Sequence, residues 1–223
     1  LRTVTGVQTC ALPISNRISG TSGGVAFESI SFRNVGSVTI DTGANDSAGN
    51  QDDVINFVGD LSAAGLTQLT VQTGAGNDRI NLSQLGATGA VQVSIQAGAD
   101  TDEIIGPSRE NTWNLTGTNA GTLNGNLAFS ATESLTSRNG FDDHFVLTLG
   151  GSLSGTITGQ QDDADSLALE IQMAAATPHT INFIRPLIAA PDGGIQIDGA
   201  TVANFVGVRS AGLLTLIATA SDE

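Results

Sequence analysis

The sequence has no lysine and no tyrosine, and cysteine, methionine and tryptophan occur once each among its 223 residues. Its eight arginines stand against 22 aspartates and glutamates, which gives a formal net charge of −14. A protein that binds the nucleic-acid backbone needs excess positive charge to neutralise phosphates, so the composition excludes this class. The same charge argues against docking on anionic membranes, and no run of 18 apolar residues predicts membrane insertion as a helix.

Aromatic residues make up only 4% of the chain, whereas glycine occurs 28 times. A helical bundle would contain more Leu, Lys and Glu, so this composition favours many short strands joined by turns. The length corresponds to one domain or two small ones and is sufficient to bury a core. The sequence therefore predicts an all-β fold.

The first fifteen residues carry no fold signal. The stretch VTGVQTCALPI at 4–14 looks like the translation of a common sequencing-library adapter, and it contains the single cysteine, Cys10. Residues 1–15 are therefore predicted to be a non-native segment and are excluded from fold reasoning. We interpret the chain as a fragment of a longer protein and predict that residues 16–223 form a single repeat domain.

A turn of Gly and Asx residues, followed by an Asp and then an apolar residue two positions later, recurs along the chain. The first aspartates are Asp53, Asp78 and Asp102, which are almost evenly spaced, and the pattern returns at Asp143 and Asp165. A near-constant period with two or three short strands favours a parallel β-solenoid, with coils of about 20–25 residues that stack at about 4.8 Å. An antiparallel β-sandwich is the alternative, although a sandwich does not require a constant period.

Alternation of apolar and polar residues predicts strands between and after these turns. An example is VQVSIQ at 91–96. The apolar positions of such segments are expected to point into the solenoid, namely Ile80, Leu82, Val91, Val93, Ile95, Leu147, Leu167 and Leu169.

Three segments between residues 105 and 170 carry a family resemblance. They are NTWNLTGTNAGTLNG at 111–125, ESLT at 133–136 and DDHFV at 142–146. This unit resembles the repeats of giant bacterial surface and secreted proteins of the adhesin-like, filamentous-haemagglutinin-like or haemolysin type. The resemblance implies a parallel β-helix stalk, a secreted or cell-surface location, and a non-enzymatic structural or adhesive role. The implied partners are an unidentified surface ligand or carbohydrate and other modules of the same long chain.

The segment TGAGNDRIN at 73–81 is similar to the haemolysin-type calcium nonapeptide Gly-Gly-x-Gly-x-Asp-x-apolar-x, from which it departs at Thr73. In that family, glycine carbonyls and aspartate carboxylates of stacked turns enclose Ca²⁺, which prefers oxygen ligands. The resemblance implies a metal site at Gly74, Gly76 and Asp78, completed by Asp53 and Asp102 from adjacent coils, with Ca²⁺ as the cofactor.

Two features weigh against calcium and favour a structural interpretation. The family's motifs occur in tandem, whereas one copy occurs per coil here. Each aspartate can instead accept a backbone N–H in an Asx turn and so define the corner of the coil.

The tripeptide Gln-Asp-Asp at 51–53 and 161–163 is similar to a motif of polygalacturonases, which hydrolyse pectin on a β-helix. No Asn-Thr-Asp, Gly-His-Gly or Arg-Ile-Lys accompanies it, and the two histidines, His144 and His179, lie outside any motif. A non-enzymatic stalk is therefore the main interpretation. A calcium-binding haemolysin-type module is the first alternative, and a polysaccharide-processing β-helix enzyme is the second.

Overall fold

A computed structural model describes the chain between residues 16 and 220, apart from 23, 33–34, 47–50, 62–64, 149, 160–165, 174–179, 185–192 and 209–215. The predicted non-native segment, residues 1–15, lies outside the described residues. Among the described residues, no helix is long and apolar enough to span a membrane.

The described residues are all-β, as predicted, with one short 3-10 turn at Gly43–Asn45. The strands in chain order are β1 (Asn16–Ser22), β2 (Val25–Phe32), β3 (Ser37–Asp41), β4 (Val54–Gly59), β5 (Gln68–Ala75), β6 (Arg79–Leu85), β7 (Gln92–Ala99), β8 (Glu103–Ile105), β9 (Thr112–Gly117), β10 (Ala120–Leu123), β11 (Leu127–Ser130), β12 (Ser134–Thr136), β13 (His144–Thr148), β14 (Thr156–Thr158), β15 (Ser166–Met173), β16 (Ile181–Ile184), β17 (Gly193–Ile197), β18 (Ala200–Val206) and β19 (Leu216–Ala220).

These strands form two sheets that share one core. Sheet A has the order β16-β17-β18-β14-β12-β8-β6-β4-β1-β2, and sheet B has the order β19-β15-β13-β9-β10-β11-β7-β5-β3. Ile80 and Leu82 of sheet A belong to the same buried cluster as Leu69 and Val71 of sheet B. Successive side chains of a strand point to opposite faces, so in the strands whose side chains are described, such as β5, β6 and β7, the apolar alternation places one row of residues in this core.

Strands at equivalent places in successive units pair in parallel. In sheet B, β5 pairs with β7 from Gln68 opposite Gln92 to Ala75 opposite Ala99, an offset of 24 residues. In sheet A, Arg79 of β6 pairs with Glu103 of β8 at the same offset. The offset that these two pairings share brings equivalent residues of two successive units together in both sheets.

The predicted inward positions are buried wherever their side chains are described. Six of them are at most 3% exposed, namely Ile80, Leu82, Val91, Val93, Ile95 and Leu147. The side chains of Leu167 and Leu169, in β15, lie outside the described residues.

The sheets are nevertheless mixed. Eleven of the seventeen pairings between described strands are parallel. The other six are antiparallel and lie in the groups β2-β1-β4, β9-β10-β11 and β16-β17-β18. Most pairings are therefore parallel, but the two sheets are mixed, so the all-β class is what the described residues show of the predicted fold.

Local turn chemistry explains two of the antiparallel groups. Asp198 and Gly199, both at positive φ, form the two-residue turn between β17 and β18. Asn124 and Gly125, also at positive φ, lie in the three-residue loop between β10 and β11. Asp-Gly and Asn-Gly are the preferred dipeptides of hairpin turns, so they return the chain on itself instead of passing it to the other sheet.

The middle of the core contains an aromatic group. The ring of Trp113 in β9 stacks on that of Phe145 in β13 at 5.8 Å, with an interplanar angle of 11°. Its Nε1 donates a hydrogen bond of 3.2 Å to Oδ2 of Asp143, which is itself buried. Asp143, a predicted recurrence of the repeat pattern, therefore supports the core at this corner.

Candidate functional site

Four acidic residues form a line along one corner of the molecule. Asp53, Asp78, Asp102 and Glu133 each precede the first residue of a strand in sheet A, namely β4, β6, β8 and β12. The first residues of these strands are neighbours in parallel register. The acidic residues before them are therefore stacked at about the spacing of strands, roughly 4.8 Å. We call these four residues the inner acidic row.

Each link of the inner acidic row is a hydrogen bond from a backbone N–H to the next carboxylate. The N–H of Asp53 donates to Oδ1 of Asp78 at 2.7 Å, and the N–H of Asp78 donates to Oδ1 of Asp102 at 2.8 Å. The N–H of Asp102 donates to Oε2 of Glu133 at 2.8 Å. The carboxylates of Asp78, Asp102 and Glu133 thus each satisfy a backbone donor of the preceding unit that would otherwise lack an acceptor.

Glu133 is the member of the row that sequence reasoning missed as a site residue. Its second oxygen, Oε1, accepts a hydrogen bond of 2.8 Å from the side chain of Asn119, so both of its carboxylate oxygens are used. The row stops there because Gly155 occupies the next position and offers only its backbone N–H, which bonds to the carbonyl of Glu133 at 3.0 Å.

A second line of hydrogen bonds lies beside the inner acidic row, and its side chains accept N–H groups of the following unit instead of the preceding one. The N–H of Asn77 donates to Oδ1 of Asp52 at 2.8 Å, and the N–H of Thr101 donates to Oδ1 of Asn77 at 3.3 Å. In the inner acidic row a side chain reaches back to the preceding unit, whereas here it reaches forward to the following one. Together, the two lines of hydrogen bonds connect the corner of a unit to the corners of the preceding and the following unit.

The carboxylates of Asp78 and Asp102 are deeply buried. Their side chains are 1% and 0% exposed, and the Oδ2 atom of each accepts no hydrogen bond from the described part of the chain. The hydroxyl of Thr73 lies close to Asp78 and lowers the pKa of that carboxyl, but it donates its proton at 2.7 Å to the carbonyl of Ala97. Each of the two aspartates therefore has one satisfied oxygen and one buried oxygen without a donor.

This environment disfavours the charged form of both groups. Burial, the largest cause, and the nearby charges of Asp53 and Asp46 together raise the pKa of Asp78 to about 6, against the hydrogen bonds that lower it. Burial raises the pKa of Asp102 to about 7, assisted by the charges of Asp78, Glu133 and Asp100. Loss of hydration is the main cause in both cases.

Gly74 and Gly76 stand beside the row because the backbones of neighbouring units approach closely there. Both have positive φ, +99° and +114°, as does Gly98, at +121°, which pairs with Gly74 across β5 and β7. A Cβ on Gly98 would collide with the carbonyl of Gly74, and one on Gly76 would collide with the backbone of Gln51. Glycine is thus required for both conformation and packing at this corner.

The predicted metal ligands are brought together only in part. Asp53, Asp78 and Asp102 are neighbours, but they are arranged along a line in which the carboxylates of Asp78 and Asp102 are each joined to the preceding unit by a peptide N–H. Among the described residues, no three His, Cys, Asp or Glu side chains surround a point where a metal ion could lie. Calcium takes six to eight oxygen ligands, and the feature that suits it here is the pair of buried Oδ2 atoms.

The acidic pair at 52–53 does not form a shared catalytic centre in this arrangement. Asp52 is exposed and Asp53 is buried, because successive residues face opposite sides at the start of a strand. The second pair, Asp162 and Asp163, lies outside the described residues, as do Asp165 and His179.

No family model matches the chain, and the searches found no similar protein among curated proteins and no similar fold among solved structures.

Proposed function

We propose that the chain is a non-enzymatic structural and adhesive stalk segment of an exported bacterial surface protein, built as a parallel β-solenoid. The observation that carries the proposal is the parallel pairing of β5 with β7 and of β6 with β8 at one common offset of 24 residues. In such an arrangement each unit contacts mainly its neighbours, so the chain can extend in one direction without a larger core. That architecture suits a spacer that holds other modules away from a cell surface.

The inner acidic row supports the same role. Its carboxylates are used to connect units, since three successive links join backbone donors to side chains of the next unit. A solvent-facing position would serve a catalytic or ligand-binding carboxylate better than the buried positions of Asp78 and Asp102. The resemblance of residues 111–146 to surface-protein repeats supports the proposed export and surface location.

Force spectroscopy on single molecules tests the stalk proposal. A chain of stacked units should unravel from its ends in several steps, because interactions between units are local. Each unit would release roughly 80 Å of contour length, given about 24 extended residues at about 3.4 Å each. A single cooperative rupture of the whole chain would contradict the proposal.

A calcium-binding haemolysin-type module is the second candidate, favoured by the buried Oδ2 atoms of Asp78 and Asp102. A cation bound only by the folded state would raise the melting temperature as its concentration increases. The test compares thermal unfolding in EDTA and in millimolar Ca²⁺ for the parent, for Asp78→Asn and for the control Glu110→Gln. Calcium binding at the row predicts a shift that Asp78→Asn removes and Glu110→Gln keeps. A parent melting temperature that does not respond to calcium ends this candidate.

A further inference from the structure

A polar groove lies where the β10 hairpin interrupts the stack of units. This open groove has a volume of about 580 Å³ and lies between the loop before β7, the turn of the hairpin, and the segment that leads into β9. Thr88, Arg109, Glu110, Asn124 and Asn126 supply its polar lining. Its volume is that of a small-molecule site.

The walls of the groove are held in place by hydrogen bonds. The amide of Asn126 donates to Oγ1 of Thr88 at 2.7 Å, which joins the hairpin to the opposite loop. The amide of Asn124 donates to Oδ1 of Asn111 at 2.9 Å and its Oδ1 accepts the N–H of Thr112 at 2.9 Å, which joins the hairpin to β9. The groove is therefore formed before any ligand arrives, which reduces the entropy cost of binding.

Hydrogen bonds from one nitrogen hold the guanidinium of Arg109 in place and leave its other N–H donors available to a ligand. Its Nη1 donates to the carbonyls of Leu85 and Gly86 at 3.1 and 2.8 Å. Its Nη2 and Nε make no hydrogen bond within the described part of the chain. Glu110, beside it, is exposed and has neither a hydrogen bond nor an ion pair among the described residues. The groove thus offers the positioned guanidinium of Arg109, the exposed carboxylate of Glu110 and the hydroxyl of Thr88.

We infer that this groove binds a neutral saccharide, with Arg109 donating to ring or hydroxyl oxygens and Glu110 accepting from adjacent hydroxyls. Sugar hydroxyls both donate and accept, so they match a groove whose lining includes one cation, Arg109, and one carboxylate, Glu110. An anionic sugar would meet Glu110 and a chain of net charge −14. The inference deepens the proposed adhesive role and rests on it. Because no aromatic ring among the described residues lines the groove, we expect weak affinity for a single site, with Kd of about 1 mM.

Isothermal titration of the full chain with maltohexaose, cellohexaose and chitohexaose tests the inference, with hexagalacturonate as the anionic counterpart. At least one neutral probe should bind, and Arg109→Ala and Glu110→Ala should each weaken it at least tenfold. Arg138→Ala, which changes an exposed arginine elsewhere, should leave binding unchanged. Glu110→Ala removes an exposed side chain with no hydrogen bond or ion pair among the described residues, so its effect reports on the groove even if Arg109→Ala destabilises the chain.

Three outcomes would overturn the inference. They are the absence of binding by every neutral probe below about 10 mM, binding that Glu110→Ala leaves intact, and tighter binding of hexagalacturonate than of the neutral probes. None of them bears on the stalk itself, which the stepwise unravelling experiment decides separately.

Discussion

The backbone N–H of Asp78 donates a hydrogen bond of 2.8 Å to the side chain of Asp102, which lies 24 residues later in the chain and one unit further along sheet A. The carbonyl of Asp78 meanwhile accepts the N–H of Glu103 at 2.9 Å. Asp78 is therefore attached to the next unit through both of its backbone polar groups. At the corner, the carboxylate of Asp102 accepts the backbone N–H that a carbonyl of a neighbouring strand would accept within the sheet.

Removing that acceptor should weaken the fold. We predict that Asp102→Ala lowers the free energy of unfolding by about 2 kcal/mol at pH 5, because the buried N–H of Asp78 loses its partner. The measurement is urea denaturation, and pH 5 is chosen because the carboxyl of Asp102 is protonated there, its pKa being about 7, which separates the hydrogen bond from the charge. Glu110→Ala is the matched control and should change stability by less than about 0.5 kcal/mol. Equal stability of the two variants would contradict the role given to Asp102.

Stability should fall as the pH rises through neutrality. The pKa values of Asp78 and Asp102 in the folded state, about 6 and about 7, lie above the ordinary value, near 3.9, of an unfolded chain. The folded state thus binds protons more tightly than the unfolded state, so stability is greatest below about pH 4 with respect to these groups and declines until both have ionised. We expect a loss of roughly 4 kcal/mol between pH 5 and pH 8.

A neutral side chain of the same shape isolates the cause. Asp102→Asn keeps an oxygen that can accept the N–H of Asp78 and removes the ionisable group. Its stability should vary less with pH than that of the parent and should exceed the parent's at pH 8. Denaturation curves at four pH values measure both effects. A parent whose stability is the same at pH 5 and pH 8 would show that the buried carboxyls do not titrate as described.

One glycine of the corner and one of the β10–β11 hairpin separate the effect of backbone strain from that of a steric clash. Gly98 and Gly125 both have positive φ, but a Cβ would strike the carbonyl of Gly74 in the first case and would contact no atom within 4 Å in the second. Gly125→Ala should therefore cost only the conformational strain of about 1 kcal/mol. Gly98→Ala should cost at least twice as much, because two backbones must also separate. Melting curves that rank the two variants in the reverse order would refute this packing.

The core positions could be predicted from the sequence because they follow from two periodicities. Alternation within a strand identified Val93 and Ile95 as inward-facing, and the near-constant interval between aspartates identified Asp78 and Asp102 as neighbours. Which atoms meet could not be predicted, since a carboxylate at a corner can bind a cation, a solvent molecule or a peptide N–H. The sequence alone does not distinguish these partners.

The interruptions of the repeat were harder to foresee. Glu133 follows Asp102 by 31 residues because the β10 hairpin lies between them, so a search for a constant interval between aspartates passes over it. The signals for the hairpins were nevertheless present as Asn124-Gly125 and Asp198-Gly199. The groove at Arg109 depends on one of these hairpins and could not be predicted without it.

Deletion of one whole unit tests the central claim, that the chain is a stack of interchangeable units, most directly. Removing residues 68–91 joins Thr67 to Gln92 and places β7 and β8 where β5 and β6 were, in the register that the common offset of the two sheets provides. Removing residues 68–79 deletes half a unit and brings a strand of sheet A to a position in sheet B. We predict that the whole-unit deletion melts cooperatively within about 10 °C of the parent and that the half-unit deletion does not fold. Equal damage by the two deletions, measured by circular dichroism on heating, would contradict the account.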